Sequence, residues 1–425
     1  MKPDAFPVTL EGWLSRIEAC HPSEIELGLD RLVEVAARLP IDLSASTRIV
    51  VAGTNGKGST LAMLDAILRR QGLSTGVYTS PHFLRYNERI VLNGVPVSDQ
   101  QLCDVFGLIE AARGDTALTY FEYGTLAALL VFSQQKVDVA LLEVGLGGRL
   151  DAVNMVDADI AAVTTVALDH IDWLGPDRES IGFEKAGIYR SGKPALCGDA
   201  DAPRRLVEHA ETIAAPMYRN GIDYQFDQSA DGWNWSGVGA KGQVCHYQNL
   251  PLPVLPLANA ALVLQMLQFL PYPVSETAIR EGLQQARLTG RMQQLHIGQL
   301  QVTLDVAHNP EAATYLASQL DAKTPVHLVL GMLADKDIES VVEILKPVVD
   351  HWYPVTLPVP RGSSAETLTA MLQRAGVAAS SIHAAPSVKA AVERLQVEPP
   401  AGRVMIAGSF FTVADALALC SGESS

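Results

Sequence analysis

The chain has 425 residues, of which 48% are hydrophobic and 19% are charged. Because a single hydrophobic core stops growing near ~250 to 300 residues, two domains are expected. The formal net charge of -15 argues against a nucleic acid or an anionic membrane as the main partner, since both need clustered cations. Aromatic residues are only 6%, which favours an α/β fold with helices packed on buried parallel strands.

The cysteines and the apolar runs indicate the compartment. None of the five cysteines forms a C-x-x-C pair, so free thiols in a reducing compartment are expected. The longest apolar run, residues 126–132, is far shorter than the ~20 residues that a membrane span needs, and the first residues lack the apolar segment of a signal peptide. A cytoplasmic protein is therefore predicted.

The first half of the chain alternates between strand and helix patterns. Helical spacing predicts a helix over residues 8–39, followed by a strand at 48–52, a glycine turn at 53–58 and a helix at 59–71. The helix prediction at 8–39 uses the apolar residues Leu14, Ile17, Ile25, Leu29, Leu32, Val33 and Val35. Further strands are predicted at 75–78, 137–144 and 160–166, with a helix at 124–135. This alternation predicts a mostly parallel sheet.

The second half begins with a different pattern. Residues 218–256 have short alternating runs that predict antiparallel hairpins, with Trp233 and Trp235 as packing residues. Residues 237–242 match G-x-G-x-x-G, but no helical pattern follows, so a hairpin turn is predicted rather than a dinucleotide site. Strand patterns then recur at 302–306, 326–331, 352–357 and 404–407. We therefore predict domains at 1–288 and 289–425, the second being a smaller α/β domain.

A glycine-rich loop between a predicted strand and a predicted helix is the strongest functional motif. Its residues are Gly53, Thr54, Asn55, Gly56, Lys57, Gly58, Ser59 and Thr60. Glycines let backbone N–H groups turn toward a phosphate, a lysine reaches the terminal phosphates, and a hydroxyl can bind magnesium. The alternative is a tight turn with a solvated lysine. The pattern predicts a phosphate-binding loop.

Polar residues at predicted strand ends are candidate metal or nucleotide ligands. Glu143 ends a buried strand and His170 follows another, where α/β sheets bind ligands and where hard oxygen donors suit Mg²⁺. Their alternatives are a solvent-facing glutamate and a structural histidine. Asp305 and His308 follow a strand in the second domain, and an N-cap or turn role for Asp305 stays open. The local pattern around Lys185 predicts a surface helix lysine.

Several segments together resemble one family. The loop at 53–60 resembles the ATP loop of the Mur ligase superfamily, whose members join carboxylates to amines. The segments 79–82, 88–90, 143–151 and 184–188 are similar in order and spacing to folylpolyglutamate synthases. This resemblance implies a P-loop-type N-terminal ATPase domain with a mostly parallel sheet and a smaller Rossmann-like α/β C-terminal domain.

The resemblance also implies roles for individual residues. Those matching the family's metal site are Ser59, Ser80, Glu143, His170 and Lys185, around two Mg²⁺ ions, with Lys185 carbamylated and a monovalent cation as a further candidate. Those matching its nucleotide contacts beyond the loop are Asn259, Arg291 and Asp305. Lys57, Lys185 and His308 are the implied catalytic residues, with His308 orienting the phosphate or the glutamate.

The implied acid-substrate site combines three segments. They contribute Glu26, Leu27, Gly28, Phe121, Glu122, Tyr123, Leu150, Asp151 and Ala152. For Phe121 and Tyr123, packing at a helix entry is the alternative. The implied activity is ATP-dependent addition of L-glutamate to dihydropteroate and to tetrahydrofolates through an acyl phosphate, by a monomer. Open alternatives are a monofunctional folylpolyglutamate synthase, a Mur-type ligase of peptidoglycan precursors, and an NTPase or regulatory module that does not ligate.

Overall fold

The computed structural model describes residues 6–21, 23, 26–229, 231–321 and 323–421. The chain divides into two compact units, Met1–Ala286 and Arg287–Ser425. In the first unit the helices are α1 (Leu10–Glu18), α2 (Asp30–Ala36), α3 (Lys57–Arg70), α4 (Asp99–Arg113), α5 (Tyr120–Gln135), α6 (Ile171–Leu174), α7 (Arg178–Ala186), α8 (Arg204–Thr212), α9 (Leu257–Leu267) and α10 (Glu276–Gln285). Its strands are β1 (Thr47–Ala52), β2 (Thr75–Tyr78), β3 (Ile90–Leu92), β4 (Val95–Pro96), β5 (Val139–Glu143), β6 (Ile160–Val163), β7 (Ala195–Cys197), β8 (Met217–Arg219), β9 (Gln225–Gln228), β10 (Trp233–Val238) and β11 (Val244–Leu250).

The main sheet of the first unit has the order β4-β3-β2-β5-β1-β6-β7-β8. The strands from β2 to β8 along this order run parallel, while β3 and β4 add an antiparallel edge. Every residue of β2, β5 and β6 is buried, as expected when helices cover both faces of a parallel sheet. The predicted α/β class with a mostly parallel sheet is confirmed. Loops after β1, β2, β5 and β6 therefore lie at one edge.

The helix predicted over residues 8–39 is wrong in its length. The structure has two helices instead, α1 and α2. Gly28 lies between them with φ of +143°, a backbone conformation that side chains disfavour, and its N–H donates to the carbonyl of Leu150 at 3.2 Å. Ile25, one of the residues behind the prediction, lies outside the described residues. A tertiary contact thus interrupts a helical pattern.

The predicted hairpin region forms the three-stranded antiparallel sheet β11-β10-β9. Trp233 and Trp235 are buried, so the packing interpretation is confirmed. Gly239 donates its N–H to the carbonyl of Gln243 at 2.8 Å, and Gly242 has φ of +77°. The G-x-G-x-x-G match is therefore a hairpin turn between β10 and β11, as predicted.

The second unit contains a smaller five-stranded sheet with the order β12-β13-β16-β14-β15. Its strands are β12 (Gln293–Ile297), β13 (Leu300–Asp305), β14 (Val326–Leu330), β15 (His351–Pro354) and β16 (Arg403–Ala407). Its helices are α11 (Pro310–Ser318), α12 (Ile338–Leu345), α13 (Ala365–Arg374), α14 (Val388–Val397) and α15 (Phe410–Ser421). Only β12 runs antiparallel to its neighbour. This sheet and its helices confirm the predicted smaller α/β fold in the second part of the chain.

Three histidines stack near the amino-terminal ends of β14 and β15. The rings of His327 and His351 have centroids 4.6 Å apart and an interplanar angle of 14°. His383 stacks on the other side, with its Nε2 3.3 Å from Nδ1 of His351. Arg394 approaches Nδ1 of His383 at 3.5 Å, and the hydroxyl of Tyr353 lies 3.4 Å from Nδ1 of His327. These contacts suit neutral imidazoles, because an arginine only donates.

We expect this histidine stack to make the stability of the protein depend on pH. Burial is the main cause that lowers the pKa of His327; the charge of His351 adds to it, and Asp350 partly offsets it. Burial also lowers the pKa of His383, and the charge of Arg394 adds to that shift. Because the pKa of these histidines is lower in the folded protein, the unfolded chain takes up protons at a higher pH than the folded protein does. The free energy of unfolding is therefore largest above the unfolded pKa of ~6.5 and decreases as the pH falls below that value. Calorimetry should record a fall in Tm between about pH 8 and about pH 5.5.

The matched variants for this prediction are His383→Gln and His296→Gln. His383→Gln should flatten the dependence of Tm on pH, whereas His296→Gln, which changes an exposed histidine of β12, should leave it as in the parent protein. An unchanged slope in His383→Gln would contradict the prediction.

No helix within the described ranges is long and apolar enough to cross a membrane.

All five cysteines are free, as predicted. Burial is the largest cause of the shift that raises the pKa of Cys197 to about 12. That thiol is therefore chemically inert at neutral pH.

Candidate active site

The glycine-rich loop follows β1 and is held against the end of β6. The N–H of Thr54 donates to the carbonyl of Thr165 at 2.8 Å, and the N–H of Asn55 donates to Thr165 Oγ1 at 3.2 Å. In return, Thr164 Oγ1 donates to the carbonyl of Asn55 at 2.5 Å. The loop is thus fixed by a neighbouring parallel strand at the carboxyl edge of the sheet, where ligands bind in this class of fold.

Two loop glycines are required by close approaches. A Cβ at Gly53, where φ is +150°, would lie 1.8 Å from Thr164 Oγ1. A Cβ at Gly56, where φ is +88°, would lie 2.7 Å from the amide atoms of Asn259. Asn259 is in the first turn of α9 and is 6% exposed, so the structure brings this predicted nucleotide residue directly to the loop.

Gly56→Ala should weaken nucleotide binding about tenfold or more, because the new methyl group would displace the Asn259 amide. Gly72→Ala is the matched control, because Gly72 has φ of +89° but nothing within 4 Å of its Cβ position. Both variants should lose ~1 to 2 kcal/mol of stability from the left-handed backbone. Isothermal titration with ATP would separate this shared strain from the collision; equal ATP affinities in the two variants would contradict the role of Asn259.

Lys57 begins α3 and is half-buried within the loop. Its Nζ donates to the carbonyl of Gly53 at 3.0 Å and lies 3.4 Å from that of Thr54. The alternative of a merely solvated lysine is therefore wrong. Gly58 follows in the helix, and Ser59 and Thr60 are buried in its first turn, where the N–H of Thr60 donates to Gly56. An ammonium, a helix N-terminus and a hydroxyl thus meet at one place.

Glu143 ends β5, the strand between β1 and β2 in the sheet. Its side chain is buried, at 6% exposure, and Oε2 accepts the N–H of Ser80 at 3.1 Å. A solvent-facing glutamate is therefore excluded. Ser59, Ser80 and Glu143 supply hard oxygen donors at one edge of the sheet, which is the donor chemistry that Mg²⁺ or Mn²⁺ prefers.

The loop after Glu143 packs on the last turn of α7, which carries Lys185. A Cβ at Gly148 would lie 2.9 Å from the carbonyl oxygens of Glu184 and Lys185, and the N–H of Arg149 donates to the carbonyl of Glu184 at 2.8 Å. Lys185 is only 3% exposed, so the local prediction of a surface lysine is wrong. Tertiary packing of the 145–151 loop covers a helix face that looks polar in sequence.

His170 is placed differently from the other metal candidates. It precedes α6 with φ of +50°, its side chain is 46% exposed, and its Nε2 is 3.9 Å from a carboxylate oxygen of Asp169. Across the described residues, no group of three His, Cys, Asp or Glu side chains forms a metal site. Among the predicted metal residues, only Glu143 and His170 belong to these four residue types. The remaining predicted donors are two serines and Lys185.

The three predicted substrate segments are brought together. Gly28 bonds to Leu150, as described above. Arg31 links the first segment to the second, with its Nε 3.0 Å from Oε1 of the buried Glu122 and its Nη1 2.5 Å from Oε1 of the exposed Glu26. Leu27 is half-buried beside Gly28. A single surface region therefore contains residues from chain positions that are more than a hundred residues apart.

Asp151 is a buried carboxylate among the predicted substrate residues. It is 3% exposed and accepts the N–H groups of Gly145, Leu146 and Val153, and it caps the short 3-10 helix that begins at Ala152. Burial raises the pKa of Asp151 to about 6, against these hydrogen bonds and the charge of Lys57. The charge of Lys57 in the glycine-rich loop therefore acts on a predicted substrate residue.

Phe121 and Tyr123 occupy different environments. Phe121 is half-buried and packs against Gly145, where a Cβ would lie 2.7 Å from the ring. Tyr123 is fully buried, and its hydroxyl donates to Glu110. The packing alternative therefore describes Tyr123, while Phe121 borders the loop after Glu143.

In the second unit, Asp305 ends β13 and is 6% exposed. It accepts the N–H groups of Met292 and Ala307, both at 2.9 Å. Burial raises the pKa of Asp305, and the charge of Arg291 opposes the shift. Asp305 does hold a turn, as one alternative proposed, but the N-cap of α11 is Asn309.

Phe410 joins the candidate residues of the second unit, and the sequence did not single it out as a site residue. The guanidinium of Arg291 lies 5.5 Å from its ring centroid, and the ring of His308 lies 6.4 Å from it. His308 Nδ1 is 3.2 Å from the carbonyl of Val306. The available signal was positional: Phe410 begins α15 directly after β16, the neighbour of β13.

Comparisons with known proteins agree with this geometry. The Mur ligase middle domain matches residues 51–249, and the Mur ligase glutamate ligase domain matches residues 290–410. A dihydrofolate synthase/folylpolyglutamate synthase of Escherichia coli is 45% identical over 98% of this chain and 96% of that protein. The structure of E. coli FolC in complex with DHPP and ADP has a TM-score of 0.90 at 45% identity, covering 98% of this chain and 99% of that one.

A further solved structure extends the likeness to bound ligands. It is a bifunctional folylpolyglutamate synthase/dihydrofolate synthase with Mn, AMPPNP and L-glutamate bound, with a TM-score of 0.89 and 45% identity over 98% of this chain and 100% of that one. The fold and the lysine loop thus define an ATP-dependent amide ligase of the Mur type. Within that class, the chain belongs to the dihydrofolate synthase/folylpolyglutamate synthase family.

Proposed function

We propose that this protein adds L-glutamate both to dihydropteroate, forming dihydrofolate, and to tetrahydrofolates, forming polyglutamates, with ATP as the energy source. The observation that carries the proposal is that Lys57 of the glycine-rich loop, Asn259 of α9 beside that loop, and the buried Glu143 at the end of β5 lie at one edge of the sheet. Relatives with this fold are named for both synthase activities, and one was solved with a nucleotide analogue, manganese and glutamate.

The chemistry proceeds in two balanced steps. An oxygen of the substrate carboxylate attacks the γ-phosphorus of ATP, the bond to the β-phosphate oxygen breaks, and ADP leaves with that electron pair. The glutamate amine then attacks the acyl carbon, phosphate leaves with the acyl oxygen, and the amine gives up a proton. Lys57 neutralises the transferring phosphoryl oxygens, and its fixed position supplies most of the orientation.

The metal-binding residues are Ser59, Ser80, Glu143, His170 and Lys185, holding two Mg²⁺ ions. The metal supplies charge neutralisation for the phosphates. A carbamate on Lys185, which is 3% exposed, would convert an ammonium into an anionic oxygen donor of the kind that Mg²⁺ prefers. Carbon NMR of the folded protein in isotope-labelled bicarbonate should show a carbamate signal that Lys185→Arg lacks; an active protein without that signal would remove this part of the proposal.

The acid substrate binds across Glu26, Leu27, Gly28, Phe121, Glu122, Leu150, Asp151 and Ala152, with Tyr123 positioning the helix from the core. Residues 1–288 are assigned ATP and pterin binding, and residues 289–425 the glutamate ligase domain. Arg291 and Asp305 contact ATP in this assignment, and His308 orients the phosphate or the glutamate. Free thiols support a cytoplasmic location, and a monomer is the proposed state.

The deciding measurement is phosphate release with MgATP and glutamate, adding dihydropteroate or tetrahydrofolate separately, with mass spectrometry of the products. Glutamylation of both acids would support the bifunctional assignment. Glutamylation of tetrahydrofolate alone would reduce it to a monofunctional synthase. Phosphate release without either acid would indicate an NTPase instead.

A further inference from the structure

Arg89 is a fixed cation that the proposed mechanism does not use. Its guanidinium lies 5.4 Å from the ring centroids of both Tyr86 and Tyr120, and these two centroids are also 5.4 Å apart. Its Nε donates to Nδ1 of His82 at 2.8 Å. Because an arginine only donates, Nδ1 of His82 is the acceptor in this contact. The two ring contacts and this hydrogen bond restrict the orientation of the guanidinium.

The charge of Arg89 is not neutralised within the protein. None of the ion pairs among the described residues involves Arg89, although it is half-buried. Within the described residues the hydroxyl of Tyr86 is buried without a hydrogen-bond partner, but it packs against α5, because a Cβ at Gly124 would lie 2.8 Å from it. The guanidinium is therefore the group that remains for a ligand, and a half-buried cation without an ion-pair partner favours an anionic one.

The backbone places Arg89 beside the candidate active site but away from the phosphate loop. Its carbonyl accepts the N–H of Thr79, the residue before Ser80, whose own N–H bonds to Glu143. Arg89 directly precedes β3, and β3 lies three strands from β1 in the sheet order. Strands are ~4.8 Å apart, so the loop after β1 lies ~14 Å away laterally, farther than an arginine side chain extends.

We propose that Arg89 binds a carboxylate of a glutamyl group other than the carboxylate that is being activated. This inference rests on the proposed function. A carboxylate fits because a guanidinium recognises it with two parallel hydrogen bonds. Two sources carry such a group: the incoming L-glutamate, used in both reactions, and the glutamyl tail of tetrahydrofolate, which dihydropteroate lacks.

Steady-state kinetics of Arg89→Gln with each acid would test this inference. We expect one KM to rise by about 10- to 100-fold, the size of a lost hydrogen bond to a charged group, with kcat changed much less. A higher KM for glutamate with both acids would assign Arg89 to the incoming amino acid. A higher KM for tetrahydrofolate alone would assign it to the glutamyl tail.

Arg85→Gln is the matched control, because Arg85 is exposed, pairs with Asp99 and lies in the same turn. If Arg89→Gln does not fold, Arg89→Lys carries the same test, since lysine keeps the charge but loses the fork and the bond to His82. Unchanged KM values in a folded Arg89 variant, or a rise for ATP or dihydropteroate alone, would overturn the inference. A parent protein that glutamylates neither acid would instead overturn the proposed function.

Discussion

Replacing Lys57 by alanine should lower amide formation by on the order of 10² to 10³-fold while leaving the fold intact. The reason is electrostatic: the ammonium is held at the loop by Gly53 and Thr54, where it can meet phosphoryl charge as that charge develops. Because Lys57 donates to loop carbonyls that can accept from water instead, stability should fall by less than about 1 kcal/mol. Product formation and thermal unfolding would be measured together.

Lys193→Ala is the control for that variant. Lys193 is a surface residue paired with Asp159 at 3.0 Å, and such pairs contribute little to stability or catalysis. Because surface ion pairs contribute only about 0 to 1 kcal/mol, the activity of this variant should stay within twofold of the parent protein. Turnover retained by Lys57→Ala would remove the lysine from phosphoryl transfer.

The second large effect is expected for Glu143→Gln. The glutamine oxygen can still accept the N–H of Ser80, so the loop after β2 should keep its position. The negative charge is lost, however, and a divalent ion is bound chiefly by anionic oxygens. We expect activity to fall about 10²-fold or more at fixed Mg²⁺, because a metal's contribution is worth several kcal/mol.

Titration with Mg²⁺ and with Mn²⁺ would identify the cause. The concentration that gives half-maximal activity should increase in Glu143→Gln and stay constant in Glu208→Gln, which changes an exposed glutamate of α8. A variant with reduced activity but an unaltered metal requirement would show that Glu143 acts otherwise than as a ligand.

The sequence determined those features whose physical cause is local. Alternation of buried strands and helices predicts the parallel sheet, and the glycines of the 53–60 loop follow from backbone geometry at the end of β1. The G-x-G-x-x-G match was assigned to a turn because no helical pattern follows Gly242. In each case the relevant interactions span only a few residues, so residue type and spacing carry the information.

Only the tertiary structure decided which distant residues meet. Residues 8–39 form two helices instead of one, with Gly28 bonded to Leu150 between them, and Lys185 is buried although its local pattern is that of a surface helix. The link from Arg31 to Glu122 and the stacking of Arg89 likewise join separate segments. Burial and long-range contacts arise from packing of the whole chain, and a local pattern contains no record of them.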